Sequence, residues 1–311
     1  MDKIAVIGAG LIGRAWAMVF ARAGHRVALH DADAGALGRN LGLIEASLAD
    51  MQAAGLLGEP PAAVRGRIRA AAGLEDALEG AAYVQENIRE TLADKLDIFA
   101  RLDALAPAQT VLASSTSTIP ASQFSEVLAG RARCLVAHPV NPPYLVPLVE
   151  LSGAPWTAPG TITRAHALLE AAGQAPIVVR KEIDGFILNR LQAALLGEAM
   201  RLFEDGYASA DDIDKCVRNG LGLRWSFMGP FETIDLNAPG GVLDYAARYG
   251  PLLSAINRSQ VARPWSERML AALEAERRKA LPAGELAARA AWRDRRLMAL
   301  VAHQRKVVAP A

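Results

Sequence analysis

The stretch KIAVIGAGLIGRAWAMVFARAGHRVALHD, residues 3–31, decides the fold. It opens with a short apolar run over residues 4–7, and apolar residues recur at helical spacing further on. Between the two lie three glycines, Gly8, Gly10 and Gly13. Gly24 ends the predicted helix, and residues 27–29 form a second strand. This order predicts a βαβ unit that begins a parallel sheet.

The same stretch has the pattern of a dinucleotide-binding loop. In a G-x-G-x-x-G loop, the first glycine makes the turn, the second admits the pyrophosphate, and the third packs the helix against the strand. Leu11 and Ile12 then begin the helix, whose N-terminus favours phosphate. Asp31 follows the second strand, where a carboxylate holds the ribose hydroxyls and repels a 2′-phosphate. The pattern predicts NAD rather than NADP, and a plain βαβ turn is the alternative.

The composition narrows the class of protein. The 311 residues are 52% hydrophobic and 22% charged, which is ordinary for a globular protein of two domains. A net charge of +1 gives no reason to expect nucleic acid or an anionic membrane as partner, and no apolar run approaches a spanning helix. The two cysteines, Cys134 and Cys216, lack disulfide or metal-ligand spacing, which indicates a reducing, cytoplasmic setting and no metal site.

Further strands and helices follow the first unit. Residues 33–80 predict a helical pair, with Leu37, Leu41, Ile44 and Leu48 on one face, a break at Gly55 and Pro60, and resumption at Val64 and Ile68. Later strands are predicted over residues 83–85, 110–113, 134–137, 145–151 and 177–179. Helices are predicted over residues 92–105, with Thr91 and Asp94 as a capping box, and over residues 161–172.

The composition changes at Asp184, after which helical spacing replaces strand-like runs. Ser209 and Asp212 form a second capping box in this part of the chain. The predicted fold class is α/β, with a Rossmann-type doubly wound sheet over residues 1–184 and an all-α domain over residues 185–311. The apolar surplus of the helical domain favours a homodimer.

Four polar residues are predicted to share one edge of the sheet, since each follows a strand: Asp31, Glu90, Ser117 and His138. Ligands of open parallel sheets bind beyond that edge. His138 is followed by a proline-stiffened reversal, and the returning strand carries Glu150. A carboxylate brought back beside the imidazole would fix its tautomer and stabilise the imidazolium. The alternative is a structural histidine bonded to backbone. No H-E-x-x-H or G-x-S-x-G motif occurs, which argues against metal catalysis and the simplest hydrolase.

The chain resembles the L-3-hydroxyacyl-CoA dehydrogenase superfamily, most closely its lambda-crystallin branch, the L-gulonate 3-dehydrogenases. The resemblance rests on IGAGLIGRAWA, QENIRE, SSTSTIP, VAHPVNPPYLVPLVEL, KEIDGFILNRLQ, GLGLRWSFMGPFET and AARAAWRDRRLM, and spans nearly the whole chain. It implies that NAD binds the first domain, that the helical domain dimerises, and that substrate lies between them.

The resemblance also implies roles for single residues. His138 would be the general base and Glu150 its partner. Ser117 and Asn189 would bond the reacting oxygen, and Asn141 would lie near substrate and nicotinamide. Glu90 and Lys95 would lie along the nicotinamide half of NAD, which Ser117 also approaches. Each residue has a plain structural alternative, but their joint occurrence at matching intervals makes coincidence improbable.

Departures from the acyl-CoA enzymes indicate the substrate. Those enzymes typically carry Asn where this chain has Ser115, as the gulonate branch does. Arg224 occupies the position where that branch places an arginine near substrate, and a guanidinium grips a carboxylate bidentately. Between residues 32 and 64 the only basic residue is Arg39, against four acids, which disfavours a polyanionic ligand such as coenzyme A.

The sequence therefore predicts NAD-dependent oxidation of the 3-hydroxyl of a small hydroxy acid, with L-gulonate as the best candidate. Two enzymatic alternatives remain, 3-hydroxybutyryl-CoA dehydrogenase and L-carnitine dehydrogenase. A third alternative is a crystallin-like structural protein that binds NAD without turnover.

Overall fold

The computed structural model describes residues 1–307. This part of the chain forms two compact units. The first comprises Met1–Asn189 together with residues 290–307, and the second comprises Arg190–Arg289. Within the described residues, every helix is too short or too polar to cross a membrane.

The first unit is built on one sheet, to which residues 1–307 contribute eight strands. They are β1 (Lys3–Ile7), β2 (Arg26–His30), β3 (Ile68–Ala70), β4 (Tyr83–Glu86), β5 (Val111–Ser114), β6 (Cys134–Pro139), β7 (Leu148–Gly153) and β8 (Ala175–Val179). Their order across the sheet is β3-β2-β1-β4-β5-β6-β7-β8. Neighbouring strands are parallel, except that β7 runs antiparallel to β6.

Helices lie between and after these strands. The earlier ones are α1 (Leu11–Arg22), α2 (Ala34–Ala53), α3 (Pro61–Gly66), α4 (Leu74–Leu78), α5 (Leu92–Leu105), α6 (Ala121–Ser125) and α7 (Pro159–Ala171). The later ones are α8 (Leu188–Glu204), α9 (Ala210–Lys215), α10 (Gly222–Trp225), α11 (Pro230–Leu236), α12 (Gly241–Ser259), α13 (Glu267–Ala280) and α14 (Leu286–Val307). Two 3-10 turns, Arg131–Arg133 and Ala283–Glu285, and a π-helix, Cys216–Leu221, complete the description.

Both faces of the sheet are covered by apolar residues. Side chains alternate along a strand, so Ile4 belongs to the core cluster that contains α1, and Ala5 belongs to the cluster on the other face. The first cluster includes Trp16 and Phe20 of α1, and the second includes Phe99 of α5. Strands buried on both faces explain the continuous apolar runs in the sequence. The predicted fold class, an α/β Rossmann-type sheet followed by a helical region, is confirmed.

The glycine and the N-cap residues predicted to bound helices do so in the structure. Gly24 adopts a φ of 92° just after α1, a conformation that glycine accepts without steric cost. Thr91 and Ser209 are the N-caps of α5 and α9, and each accepts a hydrogen bond from the backbone N–H three residues later.

Two predicted elements are wrong in part. Ile68 does not continue a helix but begins β3, a three-residue edge strand in which Ile68 is buried and the other two residues are exposed. So short a strand leaves no readable period in the sequence. β7 begins at Leu148 rather than at Leu145, because the N–H groups of Leu145 and Val146 donate to the Pro142 carbonyl in a turn.

The predicted division at residue 184 stays a prediction. The compact units divide after Asn189, and the residues of α14 from position 290 onward belong to the first unit. Met298 of α14 is only 3% exposed and joins the core cluster of α1. Sequence composition shows where strands stop, but it does not show against which unit a terminal helix packs.

Candidate active site

The glycine loop after β1 has two positions that the protein's own packing reserves for glycine. Gly8 has a φ of 90°, and a Cβ built on it would lie 2.7 Å from the Asn87 carbonyl oxygen. A Cβ on Gly13 would lie 1.7 Å from the Gly8 carbonyl oxygen. By contrast, a Cβ on Gly10 meets no protein atom within 4 Å. Contacts within the protein therefore do not explain Gly10, whereas the close approach of a pyrophosphate would.

Asp31 is fixed at the edge of this loop. Its Oδ2 accepts a hydrogen bond of 2.7 Å from Ala9 N, and its Oδ1 accepts one of 3.0 Å from Asp33 N. A cleft of about 400 Å³ begins here. Its lining includes Gly8, Gly10, His30, Asp31, Asn87 and Arg89. The loop, the carboxylate and the start of α1, at Leu11 and Ile12, fit a dinucleotide because phosphate finds N–H groups and ribose finds an acceptor.

A buried ion pair lies at the end of β4. Lys95 Nζ is 2.8 and 3.0 Å from the two carboxylate oxygens of Glu86, and both side chains are at most 1% exposed. Ser114 Oγ and Ile88 N also donate to this carboxylate, at 2.5 and 2.6 Å. Burial raises the pKa of Glu86, although Lys95 opposes the shift. Lys95 is expected to lie along the nicotinamide half of NAD. In the structure, its ammonium group is buried and bonded to Glu86.

Glu90 organises the loop that carries Ser117. One oxygen, Oε1, accepts hydrogen bonds from Thr116 Oγ1 at 2.6 Å, Ser117 N at 2.8 Å, and the N and Oγ1 of Thr118 at 3.0 Å. Partial burial raises the pKa of Glu90, but these bonds and the nearby Lys95 outweigh it and hold the pKa below its ordinary value. The ionised carboxylate therefore shapes the backbone of residues 116–118.

Ser115 belongs to a polar network inside the sheet unit. Its hydroxyl accepts from Trp16 Nε1 at 3.0 Å and from Gln85 Nε2 at 2.7 Å, and donates to Asn87 Oδ1 at 2.7 Å. All three hydrogen-bonding capacities of the hydroxyl are used. The sequence comparison makes Ser115 a mark of the substrate type, and in the structure its hydroxyl is bonded to Trp16 of α1, to Gln85 and to Asn87. No local sequence pattern predicted the hydrogen bonds of this network, which join residues far apart in the chain.

His138 and Glu150 face each other across β6 and β7. They are partners in the antiparallel register, and His138 Nδ1 lies 2.9 Å from Glu150 Oε2. Glu150 is 0% and His138 5% exposed. A carboxylate only accepts, so the Nδ1 atom carries the proton and Nε2 is left as the basic nitrogen. The strand, reversal and returning strand seen in the sequence thus bring the two side chains together.

The second oxygen of Glu150 is bound by the start of α8. Oε1 accepts from Ile187 N at 2.8 Å and from Leu188 N at 2.9 Å. Burial raises the pKa of Glu150, but the bonds from His138 and these two N–H groups outweigh it and lower the pKa below its ordinary 4.5. The carboxylate is therefore ionised when it faces the imidazole.

Asn189 and Ser117 are brought together at the same place. Asn189 Nδ2 donates to the Ser117 carbonyl oxygen at 3.1 Å. The first turn of α8 therefore holds two groups of the site. Leu188 N donates to Glu150, and Asn189 Nδ2 donates to the loop of residues 116–118, here called the serine loop. Ser117 lies after β5 and His138 lies near the end of β6, which pairs with β5, so both stand at the carboxyl edge of the sheet.

Two other predicted site residues are exposed, one in each compact unit. Asn141 is exposed in the turn after β6 and precedes a cis peptide bond to Pro142. Arg224 is exposed on the short helix α10 of the second unit. Among residues 1–307, no group of three or more His, Cys, Asp or Glu side chains is arranged to hold a metal ion.

Comparison with known proteins gives two family matches. Residues 3–183 match the model of the 3-hydroxyacyl-CoA dehydrogenase NAD binding domain, and residues 185–282 match that of the C-terminal domain. Lambda-crystallin of Oryctolagus cuniculus is 40% identical over 98% of this chain and 97% of its own. L-carnitine dehydrogenase of Streptomyces griseus subsp. griseus is 39% identical over 81% of this chain and 75% of its own.

Among solved structures, an NAD⁺-dependent 5-formyl-3-hydroxy-2-methylpyridine 4-carboxylic acid 5-dehydrogenase is similar. Its TM-score is 0.84 at 28% identity, with both chains covered completely. The family models cover most of the chain and their NAD-binding part coincides with the glycine loop and Asp31. The chain is therefore a member of the 3-hydroxyacyl-CoA dehydrogenase family, in its lambda-crystallin branch, and an NAD-dependent dehydrogenase.

Proposed function

We propose that the enzyme oxidises the 3-hydroxyl of a small L-3-hydroxy acid, with L-gulonate converted to 3-dehydro-L-gulonate as the best candidate. The observation that carries the proposal is the buried pair of His138 and Glu150 beside the serine loop. Their 2.9 Å contact leaves one imidazole nitrogen as a base at the sheet edge where ligands of this fold bind.

His138 removes the hydroxyl proton in this proposal. Its Nε2 accepts the proton while Nδ1–H stays bonded to Glu150, and the ionised carboxylate stabilises the imidazolium that forms. Bound NAD would supply the hydride acceptor for the carbon that bears this hydroxyl, and the glycine loop and Asp31 would hold it. The negative charge of Glu150 is balanced by a positive charge only when the imidazole gains its proton. The pair therefore favours the imidazolium that forms during the reaction.

Ser117 and Asn189 orient the hydroxyl oxygen in the same proposal, and Asn141 lies toward substrate and cofactor. The hydrogen bond from Asn189 to the Ser117 carbonyl supports a joint role, since it ties the amide to the loop that Glu90 shapes. Glu90 and Lys95 then support the cofactor side of the site through the loop and through Glu86.

The preference for a free acid rests on charge. Arg224 supplies a guanidinium for a substrate carboxylate. Residues 33–63 contain a single basic side chain, and that one, Arg39, lies 3.6 Å from Asp33. Coenzyme A carries several phosphate charges and would find little to pair with there. Ser115 adds no support, because all three hydrogen-bonding capacities of its hydroxyl are used within the protein.

Assembly and location complete the proposal. We infer a homodimer formed through the helical unit, which exposes large apolar side chains. Leu243 and Phe231 are each 81% exposed, and Leu236 is 68% exposed. Exposed apolar surface of this kind marks an interface. The two cysteines are free, which fits the cytoplasmic location expected from the sequence.

One experiment tests the substrate. NADH formation is measured with L-gulonate, L-3-hydroxybutyrate, L-carnitine and L-3-hydroxybutyryl-CoA, each with wild type and with Arg224→Ala. We expect the highest kcat/KM with L-gulonate and a raised KM for it in Arg224→Ala. Turnover of the CoA ester alone, or of L-carnitine alone, would replace the proposed substrate. Turnover of none would favour an NAD-binding structural role.

A further inference from the structure

Phe186, just before α8, has an unusual backbone conformation. Its φ is 51°, in the left-handed region, and the preceding Gly185 has a φ of 75°. A bulky side chain rarely adopts such a conformation unless its surroundings impose it. The side chain is 1% exposed and belongs to the same core cluster as Phe99 and Phe124.

The ring of Phe186 packs on the imidazole of His138. The ring centroids are 5.3 Å apart and the planes are inclined by 38°. This separation lies in the range of favourable aromatic pairs. His138 is therefore contacted on two sides, at Nδ1 by Glu150 and on the ring by Phe186.

The backbone of Phe186 also serves Glu150. The two N–H groups that donate to Glu150 Oε1 belong to the residues immediately after it, Ile187 and Leu188. The left-handed turn at Gly185 and Phe186 leads directly into these donors. One short segment thus fixes the carboxylate through its backbone and the imidazole through its side chain.

We propose that Phe186 is a positioning residue for His138. A single hydrogen bond at Nδ1 fixes one edge of the imidazole but leaves the ring free to tilt about that bond, because the terminal torsion of histidine has broad minima. The packed phenyl ring removes that tilt and aims Nε2 at the hydroxyl. This inference rests on the proposed function, since it takes His138 as the base.

The experiment compares buried rings inside one cluster. Phe186→Leu and Phe186→Met, which replace the ring with a branched or a flexible aliphatic side chain, are measured beside Phe124→Leu, which also removes a ring that is 0% exposed. The readouts are the single-turnover rate of NADH formation, the primary deuterium isotope effect, the Kd of NAD and the thermal midpoint.

We expect both Phe186 variants to slow single turnover by about tenfold to a hundredfold, since small misplacements of a base are costly. Their isotope effect should rise or stay maximal, and their Kd for NAD should change by less than about twofold. Phe124→Leu should lower the thermal midpoint but leave the single-turnover rate of the folded enzyme unchanged.

Different failures separate the two ideas. Wild-type single-turnover rates in Phe186→Met, or an equal slowing in Phe124→Leu, would overturn the role of Phe186. Full activity of His138→Ala would instead overturn the proposed function on which it rests. Phe186→Met keeps the test decisive if Phe186→Leu does not fold, because the flexible methionine side chain adapts to the space that the ring leaves.

Discussion

Two helices of this chain have similar apolar stripes, but the stripe of α1 is buried and that of α8 is exposed. α1 buries eight of its 12 residues against the sheet, whereas α8 buries none of its 17. Leu191 of α8 is 61% exposed, while Trp16 and Phe20 of α1 are fully buried. The comparison shows that an apolar stripe predicts a buried face but does not say whether the same chain supplies the cover.

Charged residues differ in the same way between the two units. In the sheet unit, Lys95 and Glu86 are buried and fully hydrogen-bonded. In the helical unit, Lys215 pairs with Asp211 and Asp212 on an exposed face of α9. A buried pair that loses one partner is strongly destabilising, whereas an exposed pair contributes little.

The largest expected effect lies in the glycine loop. Gly13→Ala should abolish NAD binding, because its Cβ would lie 1.7 Å from the Gly8 carbonyl oxygen and the loop must move. Gly10→Ala is the matched control for folding, since its Cβ meets no protein atom within 4 Å. We expect a wild-type thermal midpoint for Gly10→Ala and an NAD affinity lowered about tenfold or more. Unchanged NAD affinity in Gly10→Ala would contradict the pyrophosphate role of that position.

The next effect contrasts the two ion pairs. Lys95→Met should lower the free energy of unfolding by about 3–5 kcal/mol, because Glu86 is left buried without its cation. Lys215→Met should change it by less than about 0.5 kcal/mol. Urea denaturation measures both. Equal losses of unfolding free energy in the two variants would show that burial does not decide how much each ion pair contributes to stability.

A smaller effect depends on pH. The pKa of Glu150 is lowered in the folded protein, so its ionised form stabilises the fold at pH values above the ordinary 4.5. That contribution is lost as the pH falls through the lowered folded value. Glu150→Gln should therefore be less stable than wild type by roughly 1–3 kcal/mol near pH 7, and the gap should narrow as the pH falls below 4.5. A gap that widens on acidification would reverse the assigned direction.

The smallest effect on stability is expected in the helical unit. Leu243→Ser removes a side chain that is 81% exposed, so the free energy of unfolding of the single chain should change by less than about 0.5 kcal/mol. If the helical unit forms the homodimer, the variant should sediment more slowly at low concentration. A wild-type sedimentation profile would exclude Leu243 from the interface.

Local sequence predicted most of the sheet unit. Glycines, caps and apolar runs specify the βαβ unit and α5 from neighbouring residues alone, and the proline reversal after His138 indicated an antiparallel return to Glu150. β3 could not be predicted, because three residues form no period and Ile68 is paired only through the sheet.

The supporting polar contacts could not be predicted either. Glu86 and Lys95 are nine residues apart on a strand and a helix, and their contact depends on how these elements pack. Ser115 differs from the acyl-CoA pattern in sequence, but only the structure shows that it bonds to Trp16, 99 residues away. Long-range partners of this kind leave no local signal.

The central claim is that His138, held by Glu150, is the base of the reaction. Its most direct test is the single-turnover rate of NADH formation by His138→Ala with L-gulonate, together with the Kd of NAD. We expect the rate to fall by about 10²- to 10⁴-fold, as for loss of a general base, and the Kd to stay within about twofold. A rate near that of wild type would contradict the claim, since the proton would then leave by another route.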